Sequence, residues 1–214
     1  MSACDKELFR AMKIDKTLQD RDAIMAILNG KKIIRSNELQ DIGVSRKALS
    51  SLEQEQKIER ICRGVYVKAG EDSPWSHYWA VSNQCSSAVF CLYSALVIHG
   101  VTTQFAHSIW VELPRNTWKP KLDEISMEFV TATPWIHEIG IKTLKLDGVS
   151  VKVTSLERTV VDCFRLRRVV GMEVALEALK EVISGGLVQV SDLEAMAKKL
   201  NTYNIIKPYI EAII

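Results

Sequence analysis

Apolar residues recur at helical spacing from Leu18 to Asn29, through Leu18, Ile24, Ile27 and Leu28, and Gly30 ends the run. The next stretch, "IIRSNELQDIGVSRKALSSLEQEQK", predicts two more helices. Ser36 suits the cap of a short one containing Leu39, Gly43 suits the left-handed position after it, and Ser45 suits the cap of a third. "IERICRGVYVK" predicts two short strands around Arg63-Gly64. The polar stretch "AGEDSPWS" (69–76) reads as a linker.

Beyond it the pattern changes. "SSAVFCLYSALVIHG" (86–100) predicts one apolar helix closed by Gly100. Segments 108–114, 124–130, 139–147 and 149–154 alternate like strands, and Asp147-Gly148 between the last two is a hairpin turn. Thr154-Ser-Leu-Glu157 fits a capping box opening a helix with Leu156, Val160, Val161 and Phe164 inward. A helix over 172–184 stops at Gly185-Gly186, and Ser191-Asp-Leu-Glu194 repeats the capping pattern. The last helical piece carries Pro208, which must kink or start it. The expected fold class is therefore α+β: a winged helix-turn-helix over residues 1–70, followed by a mixed α+β domain over 71–214.

Composition adds little to the fold and something to the function. Of the 214 residues 47% are hydrophobic and 25% charged, ordinary for a globular chain. The net charge of +2 names no partner by itself. Residues 1–70, however, hold 14 of the 28 Lys/Arg and 10 of the 26 Asp/Glu, so the positive excess sits in the first third. The five cysteines form no CxxC pair, which points to a reducing compartment. No run approaches a membrane span and the N-terminus is too charged for a signal peptide, so a cytoplasmic protein is expected.

The third predicted helix has an uneven surface. At about 100° per residue, Arg46, Lys47, Ser50, Ser51 and Gln54 fall within one ~140° sector. Ala48, Leu49 and Leu52 fall opposite, and Glu53 and Glu55 near the borders. A helix with such a face suits the major groove: Arg and Lys fork onto guanine and Gln onto adenine. Ser45 and the helix-start N–H groups suit phosphate oxygens. Lys57, Arg60 and Arg63 would set the ribbon on the neighbouring backbone or in the minor groove. A plainly solvated face, or a winged fold used for protein contact, is the alternative.

The order "SNELQDIGVSRKALSSLEQEQKIERICRGVYV", "ALVIHGVTTQFAHSIWVELPR", "VTSLERTVVDCFRLRRVVGMEVALEAL" resembles the AbiEi-type antitoxins over roughly residues 20–200. These are the regulator half of bacterial type IV toxin–antitoxin, or abortive-infection, loci. The resemblance implies a winged helix that binds inverted repeats of double-stranded DNA in its own promoter and represses it. It also implies a C-terminal domain that opposes a nucleotidyltransferase-like toxin without requiring a stable complex. The DNA contacts carried over are Arg46, Lys47, Ser50, Ser51, Gln54, Arg60 and Arg63. No catalytic motif, metal or cofactor comes with it, so an enzyme is not expected.

Other chemistry is sparse. His77, His99, His107 and His137 lack metal-ligand spacing. Asp123, Glu124 and Glu128, with Lys119, Lys121 and Lys142, would be the raw material of a metal-dependent nuclease, against the commoner reading of charged edge-strand residues. A metabolite-sensing regulator is a third reading. Arg158 and Asp162 read as an ordinary i,i+4 pair. "RLRR" (165–168) suits a helix end, or an acidic or RNA partner. Of the five tryptophans most belong in a core, with one or two left to mark an interaction surface.

Overall fold

The computed structural model describes residues 3–71, 73–102, 107–122 and 125–214, with side chains of the first helix from Lys16 onward. The chain forms two compact units. One is Met1–Asn83 with Lys145–Val149; the other is Gln84–Leu144 with Ser150–Ile214.

The first unit opens with α1 (Ala3–Gly30), longer than the predicted 18–29. Ile24 and Leu28 of its predicted stripe are buried and Ile27 half-buried, whereas Leu18 is exposed. After it come β1 (Ile34–Arg35), α2 (Ser36–Asp41), α3 (Arg46–Gln54), β2 (Ile58–Cys62) and β3 (Val65–Lys68). The three strands make an antiparallel sheet in the order β1-β3-β2, and β1 was not legible as a strand. Two residues give no alternation to detect; only pairing with Val65 and Tyr66 makes them a strand.

The turn between α2 and α3 follows from Gly43. It sits at φ +78°, its N–H donates to Gln40 O at 3.0 Å, and Val44 N–H donates to Leu39 O at 2.9 Å. That is the paired closure that ends a helix with a left-handed residue. Val44 then packs with Ile24, Leu28, Ile34, Leu39, Ala48, Leu49, Leu52 and Ile58 in one core. Two capping expectations need correction. Arg35, in extended conformation, is the N-cap of α2 in place of Ser36, which is already the first helical residue and whose N–H donates to Gly64 O at 3.0 Å. Ser45 occupies the N-cap of α3 as expected, but its hydroxyl makes no capping bond.

Gly64 shapes the ribbon turn. It lies at φ +78°, and a Cβ there would stand 2.9 Å from Ser36 Oγ. Gly64→Ala is therefore expected to lower stability by about 1–2 kcal/mol from the left-handed backbone alone. A urea titration of the full chain measures it, and an unchanged midpoint would mean the turn relaxes freely.

The stretch read as a linker leads into α4 (Ser76–Gln84), a helix that groups with the first unit through Asn83. Its Trp79 is fully buried and donates from Nε1 to Leu146 O at 3.0 Å.

The second unit is built on a five-stranded mixed sheet, β6-β5-β4-β8-β7. Its strands are β4 (Val89–Phe90), β5 (Ile109–Pro114), β6 (Met127–Ala132), β7 (Ile141–Leu146) and β8 (Val149–Thr154). The single helix expected over 86–100 is instead β4 followed by α5 (Leu92–Ile98). Its apolar run satisfied either template, and β4's place between β5 and β8 decided it. The hairpin turn holds, with Asp147 and Gly148 at φ +47° and +89°.

A short α6 (Pro134–His137) follows β6. After β8 come α7 (Leu156–Arg165), α8 (Arg167–Val170), α9 (Met172–Ser184), α10 (Val190–Lys199) and α11 (Tyr203–Ile213), which contains Pro208. Both capping boxes are displaced. Ser155, one residue later than read, caps α7 by accepting from Arg158 N, while Gln189 is the N-cap of α10 and leaves Ser191 inside it. Helices α5, α8, α9, α10 and α11 all contact α7. Val160, Val161, Cys163 and Phe164 are consequently buried, and Arg158, Thr159 and Asp162 on the same helix are buried with them.

Candidate nucleic-acid interface

In the first unit α3 and the β2–β3 ribbon each carry exposed polar side chains. Burial of Ala48, Leu49 and Leu52 against α1, α2 and β2 turns the opposite side of α3 to solvent. Arg46, Lys47, Ser50 and Gln54 are exposed and Ser51 is half-buried, as the helical wheel requires. Lys57, Arg60 and Arg63 are exposed along the ribbon. Lys57 precedes β2 and Arg63 lies at its turn, so they stand on the order of 20 Å apart along an extended strand.

Neighbouring residues make these side chains unequal. Glu55, just past the end of α3, takes Lys57 Nζ at 3.1 Å, Arg21 Nη2 at 2.5 Å and Ser51 Oγ at 3.1 Å. The hydrogen bond from Lys57, then those from Ser51 and the Arg21 charge, hold its carboxyl below the usual carboxylate range. Lys57 and Ser51 are thus turned toward Glu55. Arg60 Nε reaches Cys62 O at 3.4 Å. Ser50 Oγ donates to Arg46 O at 3.3 Å and keeps its acceptor capacity outward. Among the described residues Lys47 carries no ion pair.

Arg46 is braced by α2. With the Gln40 amide turned so that its oxygen faces the guanidinium, that oxygen accepts from Arg46 Nε at 2.6 Å and Nη2 at 2.7 Å. The opposite orientation sets donor against donor. Gln40 therefore limits the freedom of the longest side chain on the exposed face.

The helix start differs from expectation. Ser45 N–H donates at 2.9 Å to the carboxylate of Asp20, an almost fully buried residue of α1. That N–H is not offered to an outside anion, and the Ser45 hydroxyl is buried without a partner. Sequence reasoning missed Asp20, Arg21 and Gln40. Nothing in their own surroundings separates them from solvated polar residues; their roles exist only once α1, α2 and α3 are packed.

The other candidate clusters disperse or turn inward. Asp123 and Glu124 lie outside the described residues. Glu128 sits on β6 and Lys142 on β7, the two opposite edges of the sheet, with roughly 19 Å of strand spacing between those edges. Lys142 faces Glu157 at 3.9 Å, and Lys119 lies over the Phe129 ring. In "RLRR", Arg165 Nε binds Asp162 at 2.8 Å and Arg167 Nη1 binds Phe164 O at 3.0 Å, which leaves Arg168 as the exposed cation. Among the histidines, His99 Nε2 meets Thr154 O at 2.8 Å, with burial keeping its imidazole below the usual range. His137 Nδ1 meets Glu112 at 3.0 Å.

The Arg158–Asp162 pair is more than a surface pair. Arg158 is fully buried, with Nη2 on Glu112 at 2.5 Å, Nε on Asp162 at 3.1 Å and Nη1 on Ile139 O at 2.5 Å. Glu112 and Asp162 are buried too. They connect onward to His137 and Arg165, which reach the surface.

Residues 22–67 match the family described as the AbiEi antitoxin transcriptional regulators. This match spans α1 from Asp22, α2, α3 and both ribbon strands up to Val67. The fold resembles the crystal structure of the RV2827C protein from Mycobacterium tuberculosis, with a TM-score of 0.55 and 13% identity. That resemblance covers 87% of this chain and 75% of the other. No curated protein sequence matches the chain. Among the described residues no helix is long and apolar enough to cross a membrane.

Proposed function

We propose, from the premise that residues 22–67 form a regulator segment of the AbiEi antitoxin type, that this chain represses its own toxin–antitoxin operon. On this reading residues 1–70 bind inverted repeats of duplex DNA in the promoter, and 71–214 carry the antitoxin activity against a nucleotidyltransferase-like toxin. The setting is cytoplasmic, in abortive infection as phage defence. The observation that carries the DNA-binding part is the exposure of Arg46, Lys47, Ser50 and Gln54 on one side of a helix whose other side is buried.

The roles divide by what each side chain is free to do. Arg46, held by Gln40, forks onto a base, most favourably guanine, and Gln54 onto adenine. Lys47, Ser50, Arg60 and Arg63 hold phosphates. Lys57 and Ser51 contribute through the Glu55 cluster, which fixes the end of α3. Ser45 acts structurally, as the point where Asp20 anchors the helix start.

The test is a titration of the purified chain onto its own upstream region, with competitor DNA and a salt series. The log of affinity is expected to fall by about 0.9 per log unit of salt for each phosphate neutralised, so the three cations Lys47, Arg60 and Arg63 give a slope of about 2.7. A flat response would identify the helix as a protein-contact surface instead.

A further inference from the structure

Two tryptophans of the second unit are strongly exposed, Trp118 at 72% and Trp135 at 51%. They leave the sheet from one place. β5 and β6 run parallel, and their last residues, Pro114 and Ala132, are register partners. Trp118 lies shortly after Pro114, and Trp135 shortly after Ala132. Both indoles therefore rise from the carboxyl end of a strand pair at the sheet's edge, β6 being a terminal strand.

The loop that carries Trp118 is tied down. Arg115 N–H donates to Ala132 O at 2.9 Å and Thr117 N–H to Pro114 O at 3.3 Å. Its sequence, Arg115-Asn-Thr-Trp-Lys-Pro-Lys121, surrounds the indole with cations. Arg115, Lys119 and Lys121 are exposed, and Lys119 Nζ stands 5.6 Å from the centre of the Phe129 ring on β6. Glu128 is the exposed acid on that strand.

An indole 72% exposed, on an anchored loop, is a contact group left largely uncovered among the described residues. Its neighbours indicate what fits. A protein hot spot sets its tryptophan in a well-packed, desolvated pocket; here Trp118 stands in the open among the exposed side chains of Arg115, Asn116, Lys119 and Lys121. A flat π-face bordered by cations suits an unpaired base with its phosphates. A duplex does not fit, because its bases already stack on one another.

We propose that the loop Arg115–Lys121 binds single-stranded nucleic acid, with Trp118 as the stacking platform, Trp135 as a second one, and Arg115, Lys119 and Lys121 on the phosphates. This site belongs to the second unit and α3 to the first.

The test uses the full chain with fluorescein-labelled dodecamers of uridylate and of deoxythymidylate, read by anisotropy and tryptophan quenching. The duplex from the chain's own upstream region is the control. Both or one of the single strands should bind; uridylate preference assigns RNA, equal binding assigns either sugar. Trp118→Ala should weaken single-strand binding about ten- to a hundred-fold, and Trp118→Phe should retain most of it. Lys119→Ala with Lys121→Ala should reduce the salt slope by about 1.4. Duplex affinity should not move in any of these variants, and an unchanged circular dichroism spectrum and urea midpoint report that they fold. The proposal is overturned if neither dodecamer binds at micromolar protein, or if Trp118→Ala binds as tightly as the parent. It is equally overturned if Arg46→Ala with Lys47→Ala removes single-strand and duplex binding together.

Discussion

Replacing Arg158 with Met should cost the full chain about 3–5 kcal/mol of unfolding free energy. The side chain is fully buried and is the common partner of two buried carboxylates, Glu112 and Asp162. Removing it leaves both without their shared cation, along with an unmet carbonyl at Ile139. Lys at this position should also be destabilising, because an ammonium cannot present the guanidinium's planar fork to three acceptors. The mechanism has its own check. Replacing Arg158, Glu112 and Asp162 together by apolar residues of similar volume should recover most of the loss, since the charges left without their partner, Arg165 above all, reach the surface and no fully buried charge is stranded. Urea unfolding followed by tryptophan fluorescence measures all three. If the triple variant is less stable than Arg158→Met, the loss comes from packing and the charge argument is wrong.

The second large effect falls on DNA. Arg46→Ala with Lys47→Ala should weaken binding to the upstream duplex by about one to three orders of magnitude, taking roughly 1–3 kcal/mol for a base fork plus a smaller phosphate term. Both side chains are exposed, so the fold and circular dichroism should not change. Gln40→Ala, which touches no DNA on this reading, should lose about tenfold and should lose it mainly in discrimination at the base Arg46 reads. Antitoxicity should persist in the double variant when expression is driven from another promoter. Unaltered duplex affinity in the double variant would remove α3 as the reading helix. Loss of antitoxicity with retained expression would show that the two activities are not separable.

What could be read ahead of the structure followed one physical line. The α3 stripe was legible because Ala48, Leu49 and Leu52 recur at the helical period, and burial of that stripe sends Arg46, Lys47, Ser50 and Gln54 outward automatically. Gly43 and the Asp147-Gly148 hairpin were legible because left-handed backbone leaves few residue choices. Segments whose type depends on a distant partner were not. β1 and β4 are two residues each and exist as strands through pairing. The capping box at Thr154 was displaced because Thr154 has partners elsewhere, in Phe90 O and Thr159, and Ser155 takes the cap.

The same division holds for the site. Local periodicity determined which residues α3 presents, because an amphipathic helix has a single low-energy way to face its core. Only tertiary packing decided what those residues are free to do: Asp20 reaches Ser45, Gln40 reaches Arg46, and Arg21 and Lys57 converge on Glu55. Arg158 shows the limit most clearly. Along the chain it is half of an i,i+4 pair, whereas once α7 is packed beside β5 it becomes the buried cation joining Glu112 to Asp162. A hydrogen bond or ion pair between segments depends on distances that no stretch of sequence contains, while a helical face depends only on residues a few positions apart.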